Sequence, residues 1–302
     1  MNPVMLFSLI ATNPLSKRAI KKLLEKDGET TRLDKLLRAY AYGENGGFGE
    51  MSLLLTVKKF DHGSKAMKKP NFEAYLKMLR IRSWLGYFLI AALGYTISTK
   101  LNAHISETIF FFVLVCLYLG FSFSINNYFD VKEDLLKRKK SNPVAMGEIK
   151  QKEGIIFSLL LALLSISLSL LRGLNVFYFF SILIFLSFSY SSPPFRLKSR
   201  PFLDLISHGL FFGSLLFLFP SVFFFKDVGL LHALIAISIF YFSIILELRN
   251  HIEDYESDKK AGLRTAVCVL GLNASKKITY FLSLLFPLLF LPIFYIINRR
   301  II

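Results

Sequence analysis

Apolar runs dominate the chain, near residues 83–99, 106–126, 154–171, 174–191, 203–224, 229–247 and 277–298. Each approaches the roughly 20 residues that a helix needs to cross a bilayer core. Backbone groups in lipid must pair within their own segment, so these runs predict helices and not isolated strands. Pro287 and Pro292 fall inside the last run and predict a kink or break there. The expected fold is all-α, a multi-pass membrane helical bundle with about seven transmembrane helices.

The first 70 residues depart from this pattern. MNPVMLFSLIATNPL is apolar but short, and its cations follow the apolar stretch, whereas a secretory signal carries them before it. Ser16 to Tyr42 mixes Lys, Arg, Glu and Leu at helical spacing, and 39–48 is a Gly-rich loop that matches no phosphate-binding motif. Residues 1–70 are read as an N-terminal cytoplasmic or interfacial extension, and 71–302 as the transmembrane domain.

Charge refines the picture. The 302 residues carry a formal net charge of +16, although only 19% are charged. A basic chain can bind nucleic acid. Here the cations gather between apolar runs, as in the inner loops of membrane proteins, and nucleic acid is excluded on that ground. The N-terminal segment and the connections at 127–153, 192–202 and 248–276 are basic, while those at 100–105, 172–173 and 225–228 are short with few charges. The positive-inside rule places the N-terminus and the basic connections in the cytoplasm of a cell-membrane protein. With seven spans the terminal Arg299-Arg300 then faces outward, against that rule. Cys116 and Cys268 lack metal-ligand spacing and are read as structural.

The candidate chemistry sits in two acidic stretches. Asn126, Asp130 and Asp134 recur every four residues, followed by Lys137, Arg138, Lys139 and Lys140. Asn250, Asp254 and Asp258 repeat the spacing, followed by Lys259, Lys260 and Arg264. Four residues advance a helix by about 400°, so each triplet is expected on one face of one helix. Mg2+ takes oxygen ligands and is usually held by one or two carboxylates plus substrate phosphates. Two facing carboxylate clusters would therefore hold Mg2+ around a diphosphate, with nearby cations adding phosphate contacts. A third stretch, Tyr190 to Asp204, carries hydrogen-bond donors at Tyr190 and Ser191 and cations at Arg196, Lys198 and Arg200. Arg200 alone is read as an ordinary loop cation. His208 is read as a polar packing residue. Glu107 and Glu247 are read as solvated span ends, Glu247 being notable for preceding the second cluster.

At these residues the chain resembles the UbiA family of intramembrane prenyltransferases. Asn126, Asp130 and Asp134 match the family's Asn-x3-Asp-x3-Asp signature, and Asp254 and Asp258 match its second Asp-x3-Asp. The Tyr190–Pro201 stretch and Leu79–Trp84 are further matches, and the resemblance spans roughly 70–302. It implies a prenyl diphosphate donor, Mg2+ held by Asp130, Asp134, Asp254 and Asp258, and Asn126 supporting the first cluster. Tyr190, Lys198 and Arg138 would contact the diphosphate, and Asn250 is a candidate at the second cluster. The activity implied is transfer of a polyprenyl group to a small aromatic or lipid acceptor. The nearest enzymatic alternative is phosphoribosyl transfer to a polyprenyl phosphate.

Three departures from the family are visible. Asn127 stands where many members carry Asp. The family's usual nine spans appear as seven, which leaves open a naturally short chain, a truncated one, or completion of the bundle by a partner or oligomer. Residues 1–70 lie outside the resemblance. Rival readings are an inactive family member and an ion or metal transporter. The carboxylates sit at helix ends, not near the bilayer midplane, which argues against an ion pathway.

Overall fold

The computed structural model describes residues 72–136 and 141–301, all within one compact unit, Lys69–Ile302. The extension at 1–70 and the candidate diphosphate contact Arg138 lie outside the described residues.

Helix α1 (Phe72–Leu79) leads through a tight turn at Ile81–Ser83 into α2 (Leu85–Thr99). Next come α3 (Ile105–Phe129), α4 (Val131–Leu136), α5 (Gln151–Leu170) and α6 (Leu174–Ser191). Helix α7 runs Leu203–Phe223 and α8 runs Leu230–Glu253. The short α9 (Tyr255–Lys260) and α10 (Ala266–Leu270) precede α11 (Leu272–Leu285) and α12 (Phe290–Ile301). Among the described residues there is no strand.

Six stretches are long and apolar enough to cross a membrane, namely α3, α5, α6, α7, α8 and the combined α11–α12 segment Leu272–Asn298. The seventh expected run, α2, has 15 residues and spans about 22 Å at 1.5 Å per residue. The result is an all-helical, multi-pass membrane bundle. Pro287 has the expected effect: it sits in a 3-10 turn, Phe286–Leu289, that interrupts the last span. The residue lacks an N–H and cannot continue the helical ladder.

Helix α3 is the axis of the bundle. Phe111, Tyr118 and Phe121 along it are fully buried, and it packs against α5 and α6. Lipid offers no hydrophobic drive for helix association, so close packing and interhelical hydrogen bonds take over. Gly94 of α2 lies so close to α7 that a β-carbon there would stand 2.1 Å from the Phe217 carbonyl oxygen. Ser122 and Ser187 share a 2.7 Å hydrogen bond between α3 and α6, and Ser98 and Ser221 share one of 2.8 Å between α2 and α7. At the far end from the acidic motifs, Arg172 pairs with Glu107 at 2.8 Å and donates to the Phe223 carbonyl at 3.0 Å.

Each acidic triplet departs from the single continuous helix expected of it. Helix α3 ends at Phe129, Asp130 adopts φ −92°, ψ 6°, and α4 starts at Val131. The second triplet repeats the break: α8 ends at Glu253, Asp254 adopts φ −88°, ψ 0°, and α9 starts at Tyr255. Four-residue hydrogen bonds still bridge both breaks, Asp130 N to Asn126 O and Asp254 N to Asn250 O, each at 2.9 Å. The chain bends without losing the register that keeps each triplet on one side. Helix α7 has its own irregularity, a π-helical segment at Gly209–Ser214 directly after His208.

Candidate active site

The two triplets meet in one cavity of about 390 Å³. Asn126, Asp130 and Asp134 line it from the α3–α4 bend, and Asn250, Asp254 and Asp258 line it from the α8–α9 bend. Asp134 and Asp258, the last member of each triplet, are both 3% exposed, whereas Asp254 is exposed. Tyr190 and Lys198 line the same cavity. All the candidate site residues that fall in the described part of the chain therefore share one space.

Local contacts hold these groups in place. Lys198 forms an ion pair with Asp130. Arg196, from the same loop, pairs with Glu133, tying the α6–α7 connection to α4. Asn126 donates to Ser191 Oγ at 3.2 Å. Burial pushes the Lys198 ammonium down to about 7, and the Asp258 carboxylate works against that shift. Arg80, also on the cavity wall, is lowered by burial and supported by the charge of Asp134. Arg200 donates to the Pro194 carbonyl at 2.9 Å on the exposed side, in keeping with an ordinary loop cation.

Asn127, the departure from the family pattern, does not line the cavity. It is fully buried and donates to the Met78 carbonyl at 3.0 Å, fastening α3 to α1. The difference therefore leaves the cavity's carboxylates intact.

One reading of a single residue needs correction. Glu247 is not a solvated span end: it is 6% exposed and surrounded by donors. Its Oε1 accepts from the Tyr190 hydroxyl at 2.9 Å and faces His251 Nε2 at 3.3 Å. Its Oε2 accepts from Asn250 Nδ2 at 3.0 Å and faces His208 Nε2 at 3.7 Å. His208 packs among Tyr190, Phe211 and Phe212 as read, and it also lines the cavity and meets the Tyr87 hydroxyl at 3.3 Å. His251 also faces the fully buried Asp204 at 3.4 Å. Asp204 in turn accepts from the backbone N–H of Leu205 at 2.8 Å and of Ala266 at 3.0 Å.

The cavity has an apolar side as well. Phe123 lies seven residues before Asp130 on α3, about 10 Å deeper along the span. With Tyr87 and Phe212 it builds a ring-lined wall, Tyr87 stacking on Phe212 at 4.3 Å between centroids. Carboxylates and cations at the helix ends thus adjoin aromatic surface toward the bundle interior.

The donor set fits Mg2+. Both motifs offer hard carboxylate oxygens, the ligand class that this ion selects. Among the described residues no three His, Cys, Asp or Glu side chains come together as a metal site. Mg2+ is usually held by only one or two carboxylates, its remaining ligands being waters and substrate phosphates.

A family model described as the UbiA prenyltransferase family matches residues 87–299. The chain is 26% identical over 205 residues to digeranylgeranylglyceryl phosphate synthase of Pyrococcus horikoshii, covering 67% of this chain and 71% of that one. It is 29% identical over 218 residues to the synthase of the same name from Methanosarcina mazei, covering 66% and 71%. A solved UbiA homolog from Archaeoglobus fulgidus bound to GPP and Mg2+ matches with a TM-score of 0.65 at 26% identity, over 74% of this chain and 78% of that one.

Proposed function

This chain belongs to the UbiA prenyltransferase family, and from that premise we propose that it transfers a geranylgeranyl group from its diphosphate to a hydroxyl of a glycerol phosphate within the membrane. The observation that carries the reading is the joining of both acidic bends, Lys198 and an aromatic wall in one cavity. Its relatives support the choice of acceptor, since they are named digeranylgeranylglyceryl phosphate synthases.

Asp130, Asp134, Asp254 and Asp258 are the residues that would hold Mg2+, with Asn126 and Asn250 one turn before each bend. The bound ion would neutralise the diphosphate and stabilise it as a leaving group. Lys198 exchanges part of its pairing with Asp130 for phosphate oxygens, and its buried position makes that charge effective. Tyr190 keeps Glu247 anchored and lines the wall beside the diphosphate. Phe123, Phe212 and Tyr87 receive the first isoprene units and shield the allylic cation from water. Arg80 supplies positive charge for the acceptor's phosphate. The end of the bundle that carries the motifs is the end assigned to the cytoplasmic side of the cell membrane, because the basic connections of the sequence flank the motifs.

The test is transfer of radiolabelled geranylgeranyl from its diphosphate, in membranes carrying the full chain, with Mg2+ and either geranylgeranylglyceryl phosphate or an aromatic acid. Label is expected in the glycerol phosphate product. Asp130→Ala and Asp254→Ala should each abolish transfer while membrane insertion persists. Normal turnover in either variant overturns the carboxylate assignment, and label in the aromatic product alone overturns the acceptor.

A further inference from the structure

Ether formation at a hydroxyl leaves a proton to be placed. The acceptor oxygen bonds to the allylic carbon, the carbon–oxygen bond to diphosphate breaks with its electron pair leaving on the diphosphate, and the hydroxyl proton must go elsewhere. Resting on the hydroxyl-acceptor reading above, the question is which group on the cavity wall can take it.

Geometry removes the obvious candidates. Glu247 accepts a hydrogen bond on each oxygen, from Tyr190 at Oε1 and from Asn250 at Oε2, and His251 Nε2 stands 3.3 Å from Oε1. Both oxygens are thus already engaged as acceptors. His251 is clamped by two carboxylates, Nε2 toward Glu247 at 3.3 Å and Nδ1 toward Asp204 at 3.4 Å. Neither of its nitrogens is free to meet substrate. The Tyr190 hydroxyl is spent on Glu247.

His251 Nδ1 also lacks a hydrogen-bond partner but stands against Asp204, whereas among the described residues no ion pair holds His208 Nδ1. His208 lines the cavity and is 8% exposed. Its Nδ1 has no hydrogen-bond partner, and its Nε2 lies 3.3 Å from the Tyr87 hydroxyl and 3.7 Å from Glu247 Oε2, the latter beyond hydrogen-bond reach. The ring stands at the start of the π-helical segment Gly209–Ser214, and such irregularities often mark functional positions. We propose that His208 is a catalytic residue that takes the acceptor's hydroxyl proton at Nδ1, with Nε2 held by the Tyr87 hydroxyl and Glu247 balancing the imidazolium charge. The titratable groups facing the ring are Tyr87 from α2, Tyr190 from α6 and Glu247 from α8. A proton on Nδ1 charges the ring, and the Glu247 carboxylate 3.7 Å from Nε2 then faces an imidazolium, which favours the transfer.

The experiment compares wild type, His208→Gln and Tyr87→Phe in the geranylgeranyl transfer assay across pH. Gln fills the same volume and bonds Tyr87 but cannot take up a proton. His208→Gln is expected to lower kcat about 100-fold, the scale of general-base catalysis. It should leave KM for the donor within twofold and abolish the acid limb of the kcat profile. Tyr87→Phe should shift that limb, a readout that stands even if His208→Gln fails to fold. An active wild type matched by His208→Gln, or an acid limb unmoved by Tyr87→Phe, overturns the assignment alone. A wild type that transfers nothing to the glycerol phosphate overturns the acceptor reading, and this proposal with it.

Discussion

Asn142 donates from Nδ2 to Asp134 Oδ2 at 2.8 Å, and the same nitrogen reaches the Asn127 carbonyl at 2.8 Å. Its Oδ1 accepts from the backbone N–H of Val144 at 3.0 Å and of Ala145 at 3.2 Å. One fully buried amide therefore ties the loop after α4 to the acidic bend and aims a proposed metal ligand.

Asn142→Ala strands a buried carbonyl, two backbone N–H groups and one side of Asp134. Leaving such groups unsatisfied costs about 1–3 kcal/mol each, so the expected outcome is a clear loss of thermal stability in detergent. The Mg2+ concentration needed for half-maximal transfer should also rise severalfold, because the carboxylate loses its aim. Unchanged Mg2+ dependence would show that Asn142 serves the loop alone.

Glu247 is the shared partner of groups from three helices, α6, α7 and α8. Glu247→Ala should be strongly destabilising, on the order of 3–5 kcal/mol, because it leaves buried polar groups facing a void. Glu247→Gln keeps the size and one acceptor oxygen and should unfold at a distinctly higher temperature than Glu247→Ala. Equal melting of the two variants in matched detergent would remove Glu247 from the centre of the network.

The spans were legible because runs of about 20 apolar residues have few physical alternatives in a bilayer. The acidic triplets were legible because a four-residue period survives the backbone bends at Asp130 and Asp254. The Glu247 network was not, because its members come from α6, α7 and α8, and apart from Tyr190 each looks like a stray polar residue in an apolar run. One signal was present: Asp204 and His208, and Glu247 and His251, are both acid–histidine pairs four residues apart, set on one helix face each. The π-segment at Gly209–Ser214 left no trace, since its residues satisfy an ordinary apolar helix equally well.

Gly94 and Gly86 of α2 provide a paired test of helix packing. A β-carbon at 94 meets the Phe217 carbonyl at 2.1 Å, whereas one at 86 meets nothing within 4 Å. Gly94→Ala should force α2 away from α7 and destabilise by about 1–3 kcal/mol, as overpacking does. Gly86→Ala should be neutral or slightly stabilising through helix propensity. Thermal unfolding of the two variants decides the matter, and equal shifts would contradict the close approach.

Lys198 gives the donor's affinity a pH dependence. Burial holds its ammonium down to about 7, against the pull of Asp258, in a chain free of substrate. Unfolded lysine keeps its proton to roughly pH 10.4. Between these values the unfolded chain binds more protons than the folded one at this site, so its contribution to stability rises with pH across that window. Donor binding runs the other way, because a diphosphate is attracted to the ammonium and not to the neutral amine. KM for geranylgeranyl diphosphate, measured at saturating Mg2+, should therefore climb as pH rises above about 7. Lys198→Arg keeps its charge throughout the range and should flatten the profile. A Lys198→Arg profile that climbs like the wild type would assign the pH dependence to the diphosphate or to Mg2+ and not to this side chain.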